Sequence, residues 1–113
     1  MEKLAIDSTV VLGKALAKAQ EAMGVDQQTM ADILGVSRSS LRRHSSDGLS
    51  PESNPGRIAL VVVRIYRAVY ALMGGDLTNM RHWFSSMNRA FNQSTPIEAM
   101  ANLQGLIEVA QYC

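Results

Sequence analysis

The stretch Asp26-Gln-Gln-Thr-Met-Ala-Asp-Ile-Leu-Gly-Val-Ser-Arg-Ser-Ser-Leu-Arg-Arg-His44 has the residue spacing that a helix-turn-helix requires. Ala31 is small where two short helices must approach each other, and Gly35 follows the first helix where the chain needs a positive φ to turn. Ser37 stands where a hydroxyl can cap the second helix, and Leu41 is an apolar anchor within it. We therefore expect two helices joined by a tight turn.

The second of these helices carries arginines and serines. With Leu41 turned inward, helical spacing turns most of these side chains toward solvent. Arginine can pair bidentately with guanine or clamp phosphate, and serine is small enough to let a helix enter the major groove. At the N-terminus of the first helix, backbone N–H groups can hold a DNA phosphate. The predicted DNA-binding residues are Gln27, Gln28 and Thr29 on the first helix, and Ser37, Arg38, Ser39, Ser40, Arg42 and Arg43 on the second. The alternative is a two-helix corner with a solvated basic face.

Cationic residues are concentrated in the middle third of the 113-residue chain. The formal net charge is only +1, but residues 37–67 hold six arginines, no lysine and two acids. Residues 1–36 and 68–113 are each slightly acidic. Because arginine suits bidentate contacts to phosphate and guanine better than lysine does, this distribution favours DNA as a partner.

The composition argues against a membrane protein, a disulfide-bonded protein and an enzyme. No apolar run approaches the roughly 20 residues of a membrane span, and no secretory signal is visible near Met1. We therefore expect a cytoplasmic protein without a membrane partner. Cys113 is the single cysteine, which excludes an internal disulfide. The histidines lack metal-ligand spacing and no catalytic constellation is recognisable, so we expect no metal, no cofactor and no enzymatic activity.

A helix is predicted before the helix-turn-helix, over Thr9–Met23. Its apolar positions recur at a spacing near 3.6 and include Val10 and Val11. Ser8 or Thr9 is the expected N-cap. We interpret this helix as a packing element that supports the helix-turn-helix.

The longest helical pattern follows a loop that is predicted over residues 45–56 because it is dense in turn formers. The helix is predicted over Arg57–Met73, with an apolar face that runs from Ile58 to Leu72. Part of this segment is β-prone, but its length exceeds that of ordinary strands. A polar strip on the helix is open to interpretation as a dimer contact, a phosphate contact or a solvated face; it consists of Arg57, Arg64 and Arg67.

The last third of the chain predicts short helices. Asp76 is the expected N-cap of the first, whose apolar positions are Leu77, Met80, Trp83, Phe84 and Met87. Thr95-Pro-Ile-Glu98 has the composition of a capping box and predicts a helix that runs to about Asn102. Gly105 then opens a final apolar turn that stops at Gln111. The predicted fold is all-α, with a helix-turn-helix part in residues 1–50 packed against a smaller C-terminal helical lobe in residues 51–113.

An ordered set of motifs carries a family resemblance. The set comprises the helix-turn-helix, the Leu49-Ser-Pro-Glu-Ser-Asn-x-x-Arg57 crossing, Arg64-Ile-Tyr-Arg67, Gly75-Asp76, Trp83-Phe-x-x-x-Asn88, and Thr95-Pro-Ile-Glu98 followed by Gly105. Together these motifs resemble the Xre/MbcA/ParS antitoxins. The resemblance implies a DNA-binding part joined to a toxin-binding domain in a cytosolic homodimer. It also implies a type II toxin-antitoxin pair whose toxin has the RES fold and consumes NAD, and whose operon the antitoxin represses.

The C-terminal segment is the predicted toxin-binding part. Its apolar stretch from Leu106 to Tyr112 is too large to leave fully exposed. The resemblance puts this region at the toxin, and acidic side chains would favour an encounter with a cleft that accepts an anionic dinucleotide. The predicted toxin-binding residues are Glu98, Gly105, Glu108, Gln111, Tyr112 and Cys113. The alternative is that Leu106 and Val109 close the core while Tyr112 frays in solvent.

Two other functions are compatible with the residues. One is a stand-alone helix-turn-helix transcriptional regulator, in which the C-terminal lobe serves dimerisation or effector sensing. The other is a structural interaction module, which requires the arginine-rich block to be a solvated face. A DNA complex that weakens with salt would exclude the second, because phosphate contacts release counterions.

Overall fold

Seven α-helices form the described part of the chain, residues 7–113, in a computed structural model. They are α1 Ser8–Met23, α2 Gln27–Leu34, α3 Arg38–Asp47, α4 Asn54–Leu72, α5 Leu77–Ser85, α6 Pro96–Ala99 and α7 Leu103–Tyr112, with a 3-10 helix Arg89–Phe91 between α5 and α6. No strand occurs within residues 7–113, and the all-α prediction is confirmed. No helix in this part of the chain is both long enough and apolar enough to cross a membrane.

The helix starts follow from side chains that accept a hydrogen bond from the first turn. Asp26 accepts from the Thr29 N–H at 2.8 Å, and Asp76 accepts from the Asn79 N–H at 3.1 Å. Both caps are as predicted. The N-cap of α1 is Asp7, so the predicted caps Ser8 and Thr9 were wrong: the Asp7 carboxylate accepts from the Thr9 N–H at 3.0 Å and makes Ser8 the first helical residue.

Two boundaries of the predicted 45–56 loop were wrong. Helix α3 continues through Asp47, three residues beyond His44. Helix α4 begins at Asn54, because the Ser53 hydroxyl caps it by accepting from the Gly56 N–H at 3.1 Å. Pro55 lies in the first turn of α4, where its missing N–H removes no helical hydrogen bond. The connection is therefore limited to residues 48–53.

The boundary between the last two helices also differs from the prediction. Helix α6 ends at Ala99, and Asn102 is the N-cap of α7, accepting from the Gly105 N–H at 2.8 Å. Gly105 therefore lies inside the first turn of α7 and does not open it. Helix α7 then continues through Tyr112, past the predicted stop at Gln111.

Helices α1 and α4 form the centre of the molecule. Helix α1 packs against α3, α4 and α5, whereas α4 packs against α1, α2, α5 and α7. The buried apolar side chains of the described residues form one core. The division predicted between residues 50 and 51 lies in the connection between α3 and α4, but α4 contributes to both sides of this shared core.

Five apolar side chains expected in the core are exposed, and one of them is Leu77, the first residue of α5, at 41%. Val10 and Val11 are 39% and 46% exposed, since the face of α1 that packs inward contains Leu12 instead. Leu72, the last residue of α4, is 71% exposed, and Met87, two residues beyond α5, is 74% exposed. These two side chains continue the apolar pattern past the point where another element covers it.

Candidate functional site

The turn between α2 and α3 has the geometry expected of a helix-turn-helix. Gly35 adopts φ +73°, and its N–H donates to the Asp32 carbonyl at 3.2 Å. The Val36 N–H donates to the carbonyl of Ala31, whose side chain is fully buried between the helices. These hydrogen bonds close α2 and set the direction in which α3 leaves the turn.

Helix α3 presents the predicted recognition residues on its outer faces. Leu41 is buried, which turns Arg38, Arg42 and Arg43 toward solvent. The Ser37 hydroxyl accepts from the Ser40 N–H at 3.1 Å and caps the helix as predicted. The remaining polar side chains of this surface are Ser39, which is exposed, and Ser40, which is partly buried.

Two hydrogen bonds organise this surface before any ligand binds. Arg43 donates from Nη2 to the Ser40 hydroxyl at 3.0 Å, and the Ser37 and Ser39 hydroxyls are 3.2 Å apart. The Arg43 bond spans one helical turn and holds the guanidinium along α3, which lowers the entropic cost of fixing the group on a phosphate or base. Arg38 and Arg42 are exposed on the same helix.

The N-terminus of α2 is less open to an anion than the sequence suggested. The Thr29 N–H is already donated to Asp26. Hydrogen bonding by the Thr29 side chain and backbone, aided by the positive charge of Arg38, lowers the pKa of Asp26, so its carboxylate is charged at neutral pH. A phosphate at this position would meet the first-turn N–H groups of Gln27 and Gln28, whose side chains are exposed. The Gln28 amide donates to Asp32 at 2.9 Å.

Helix α3 is held against α1 by close backbone contact. Gly13 lies in α1 opposite the last turn of α3, where a Cβ atom would come within 2.5 Å of the His44 carbonyl oxygen. The Leu49 N–H donates to the Thr9 carbonyl at 2.9 Å. The His44 ring is partly buried, and its Nδ1 lies 3.2 Å from the Gly48 carbonyl oxygen. His44 thus closes the end of α3.

Three of the predicted toxin-binding residues meet at one cleft. A cleft of about 320 Å³ between α6 and α7 is lined by Glu98, Gly105 and Glu108. Glu98 accepts from the Thr95 N–H at 2.9 Å and completes the predicted capping box, whereas Glu108 accepts from the Gln104 amide at 3.4 Å. Both glutamates are exposed and give the cleft a negative charge.

Gly105 differs from its neighbours in this cleft because it is buried. A Cβ atom at this position would overlap the carbonyl oxygen of Ala99, so the absence of a side chain allows α7 to approach the end of α6. Gly105 therefore shapes the cleft through packing. Any contact with a partner would be made by backbone.

The other predicted toxin-binding residues lie at the end of α7. Gln111, Tyr112 and Cys113 are exposed. The Tyr112 ring nevertheless stacks on Trp83 with a centroid distance of 6.3 Å and meets the edge of Phe91 at 5.2 Å. Leu106 and Val109 are buried in the core, as the alternative interpretation expected, but these ring contacts argue against its second part, in which Tyr112 frays in solvent. Although Cys113 is exposed, partial desolvation by its neighbours raises the pKa of its thiol, so the thiol is protonated at neutral pH.

The three arginines of the α4 strip do not share one environment. All three are exposed, but Arg67 also lines a cleft of about 700 Å³ between α1, α4 and α5. Lys18, Glu21 and Arg81 line the same cleft, so it contains both signs of charge with an excess of cations. Among the described residues, no three histidine, cysteine, aspartate or glutamate side chains are grouped so that they could hold a metal ion.

The apolar surface that surrounds Trp83 was not predicted from the sequence. Trp83 was expected in the core but is only partly buried, and the side chains of Leu72 and Met87 are exposed beside it. One sequence signal could have indicated this: Leu72 lies two residues before Gly74 and Met87 lies directly before Asn88, at or beyond a helix end, where an apolar side chain has no following turn to cover it.

Comparison with protein families assigns the two parts of the chain. Residues 5–53 match the antitoxin Xre-like helix-turn-helix domain. Residues 68–112 match the antitoxin Xre/MbcA/ParS C-terminal toxin-binding domain. A search of curated protein sequences found no match. The first match contains α1 to α3, and the second extends from the last part of α4 through α7.

Proposed function

The chain belongs to the Xre/MbcA/ParS-type antitoxins, and from that premise we propose that it neutralises a RES-domain, NAD-consuming toxin by direct binding and represses its own operon. The observation that carries the proposal is that the two matched regions present two different surfaces, one cationic on α3 and one acidic and apolar on the C-terminal helices. A type II antitoxin needs both surfaces. It acts by binding and needs no catalytic group or cofactor of its own.

Operator binding is assigned to the exposed face of α3. Arg38, Arg42 and Arg43 provide contacts to phosphate or guanine, and Ser39 is small enough to reach a base edge. One short helix reads only a half-site, so we propose that the chain binds its operator as a homodimer. A repressor of its own operon works in the cytoplasm.

Toxin binding is assigned to the C-terminal helices. Glu98 and Glu108 face a common cleft, and their charge complements a toxin pocket that binds an anionic dinucleotide. Gln111, Tyr112 and Cys113 extend the exposed surface along the end of α7. We propose that this surface covers the entrance to the toxin's active site and thereby excludes NAD.

Co-expression with the adjacent open reading frame tests the antitoxin function. The expected result is that cells survive induction of the neighbouring gene only when this chain is present, and that the two proteins purify together. Survival without this chain, or purification of the two proteins apart, would contradict the proposed neutralisation. A chain that binds DNA but not the neighbouring protein would instead be a stand-alone regulator.

A double substitution tests the DNA surface. The Arg42→Ala, Arg43→Ala variant should bind both operator and unrelated DNA more weakly. The slope of log binding constant against log salt concentration should become shallower by about 0.9 for each phosphate that the variant no longer neutralises. The matched control is Arg57→Ala, Arg64→Ala, which removes the same charge from exposed positions on α4. Equal weakening in the two variants would show that binding follows net charge and is not specific to α3.

A further inference from the structure

The exposed apolar side chains near Trp83 form one surface. Leu72 is 71% exposed and Met87 is 74% exposed, and Tyr112 is 56% exposed. Scattered exposed apolar residues are normal in proteins, but a contiguous group with an aromatic side chain at its centre is typical of a binding site. We refer to Leu72, Met73, Trp83, Met87 and Tyr112 as the Trp83 surface.

Two clefts meet at Trp83. One, of about 240 Å³, lies between the end of α4 and the end of α5 and has Met73, Trp83 and Met87 in its wall. The other, of about 270 Å³, lies between α4 and α7 and has Leu72, Trp83 and Tyr112 in its wall. The indole is therefore a shared ridge with a depression on each side.

The ridge is rigid. The Trp83 ring packs edge-on against Phe84 at a centroid distance of 5.1 Å and against Phe91 at 6.3 Å, and it stacks with Tyr112. Phe84 and Phe91 are buried, so they fix one side of the indole in the core while its other side remains accessible. A side chain held in this way loses little conformational freedom when a partner covers it.

We propose that the toxin docks on the Trp83 surface through an uncharged, apolar part of its own surface, an inference that rests on the proposed antitoxin function. Every residue of the surface lies within residues 68–112, the part that matches the toxin-binding domain. No aspartate, glutamate, lysine or arginine lines either cleft. Nucleic acid is therefore a poor occupant, whereas an apolar protein surface with aliphatic or aromatic side chains fits both depressions.

The Trp83 surface and the acidic cleft make different contributions to binding. Exposed charges such as Glu98 and Glu108 accelerate the encounter of complementary proteins, and their effect declines as salt rises. Apolar anchors that become fully desolvated set the dissociation rate. The lifetime of the complex is therefore determined by the Trp83 surface.

Substitutions of the most exposed members test this assignment without removing core contacts. Leu72→Ser and Met87→Ser should each weaken binding to the purified product of the adjacent open reading frame by roughly tenfold or more, mainly through faster dissociation. The matched control is Leu60→Ser, because Leu60 is a 47% exposed leucine on the same helix as Leu72 but outside the toxin-binding match. All three variants should keep wild-type helicity and operator affinity.

The possible outcomes separate this inference from the proposed function. If the wild-type chain binds the toxin and Leu72→Ser and Met87→Ser bind as tightly as Leu60→Ser, the toxin docks elsewhere and the antitoxin function stands. If the wild-type chain does not bind the toxin at all, both the function and the inference are wrong. If the two variants keep toxin affinity but change from dimer to monomer in light scattering, the Trp83 surface joins two copies of this chain and the inference is overturned.

Discussion

Replacing Gly13 with alanine tests whether α1 fixes the position of the recognition helix. Gly13 lies in the interior of α1, and an added Cβ atom would lie 2.5 Å from the His44 carbonyl oxygen and 3.2 Å from the Gly48 Cα atom. Both neighbours are backbone atoms at the end of α3, so neither can rotate away as a side chain would. The substitution must push α3 away from α1 or bend one of the two helices.

Two opposing contributions decide the size of the effect. Alanine favours a helix interior over glycine by about 1 kcal/mol. Overpacking costs typically about 1–3 kcal/mol, and the cost lies near the upper end when the obstructing atom belongs to the backbone. We therefore expect a net loss of about 2 kcal/mol in the free energy of unfolding. For a chain of this size such a loss corresponds to a Tm lower by roughly 6–10 °C.

Thermal unfolding followed by circular dichroism measures this difference, and operator affinity measured well below the Tm shows whether α3 has moved. The control is Gly35→Ala, where no atom lies within 4 Å of the added Cβ and the cost comes only from φ +73°. That cost is about 1–2 kcal/mol. A Gly13→Ala variant as stable as the wild type, with unchanged operator affinity, would refute the close contact between α1 and α3.

Three further predictions concern single side chains. Hydrogen bonding from Thr29 holds the pKa of Asp26 below its ordinary value of 3.8. The charged Asp26 carboxylate therefore contributes its full stabilisation of the fold above pH 3.8, and this stabilisation is lost as the pH falls through the lowered pKa. Asp26→Asn, which keeps the cap, should flatten this acid dependence in thermal unfolding; an unchanged pH profile would show that the charge does not matter. Thr95→Ala removes the capping box of α6 and should cost about 1 kcal/mol in denaturant unfolding, and an unchanged stability would mean that the box does not form in solution. Tyr112→Ala uncovers one face of Trp83, the single tryptophan, and should shift its fluorescence emission to longer wavelength, whereas an unshifted spectrum would contradict the stacking.

The features predicted correctly from the sequence are those decided by neighbouring residues. The cap of α2 joins Asp26 to Thr29, the cap of α3 joins Ser37 to Ser40, and the start of α6 joins Thr95 to Glu98. Each hydrogen bond spans three residues. The acceptor and the helix that needs it can therefore be read from one short segment, without knowledge of the tertiary structure.

Helix boundaries were missed where several neighbouring residues could have served as the cap. Asp7, Ser8 and Thr9 are consecutive and can all accept from the first turn of α1. Before α4, Ser53 precedes Pro55, which was predicted as part of a loop because proline ends a helix more often than it occurs within one. The position at which α4 begins depends on the path of the preceding chain. A backbone hydrogen bond joins Leu49 to Thr9, which leaves only a short connection before α4.

The Trp83 surface could not be predicted from periodicity alone, because periodicity identifies the face of a helix but not the point at which its packing partner ends. The positions of Leu72 and Met87 continue apolar patterns whose earlier members, Val69 and Phe84, are buried. Whether the next member is covered depends on how far α7 reaches, and that distance is set by its cap at Asn102 and its contact with α6. Charged recognition residues have a composition that is visible in the sequence, whereas an apolar binding residue has the same composition as a core residue. The exposure of the α3 arginines could therefore be predicted from the sequence, whereas Leu72, Trp83 and Met87 of the proposed toxin interface were assigned to the core.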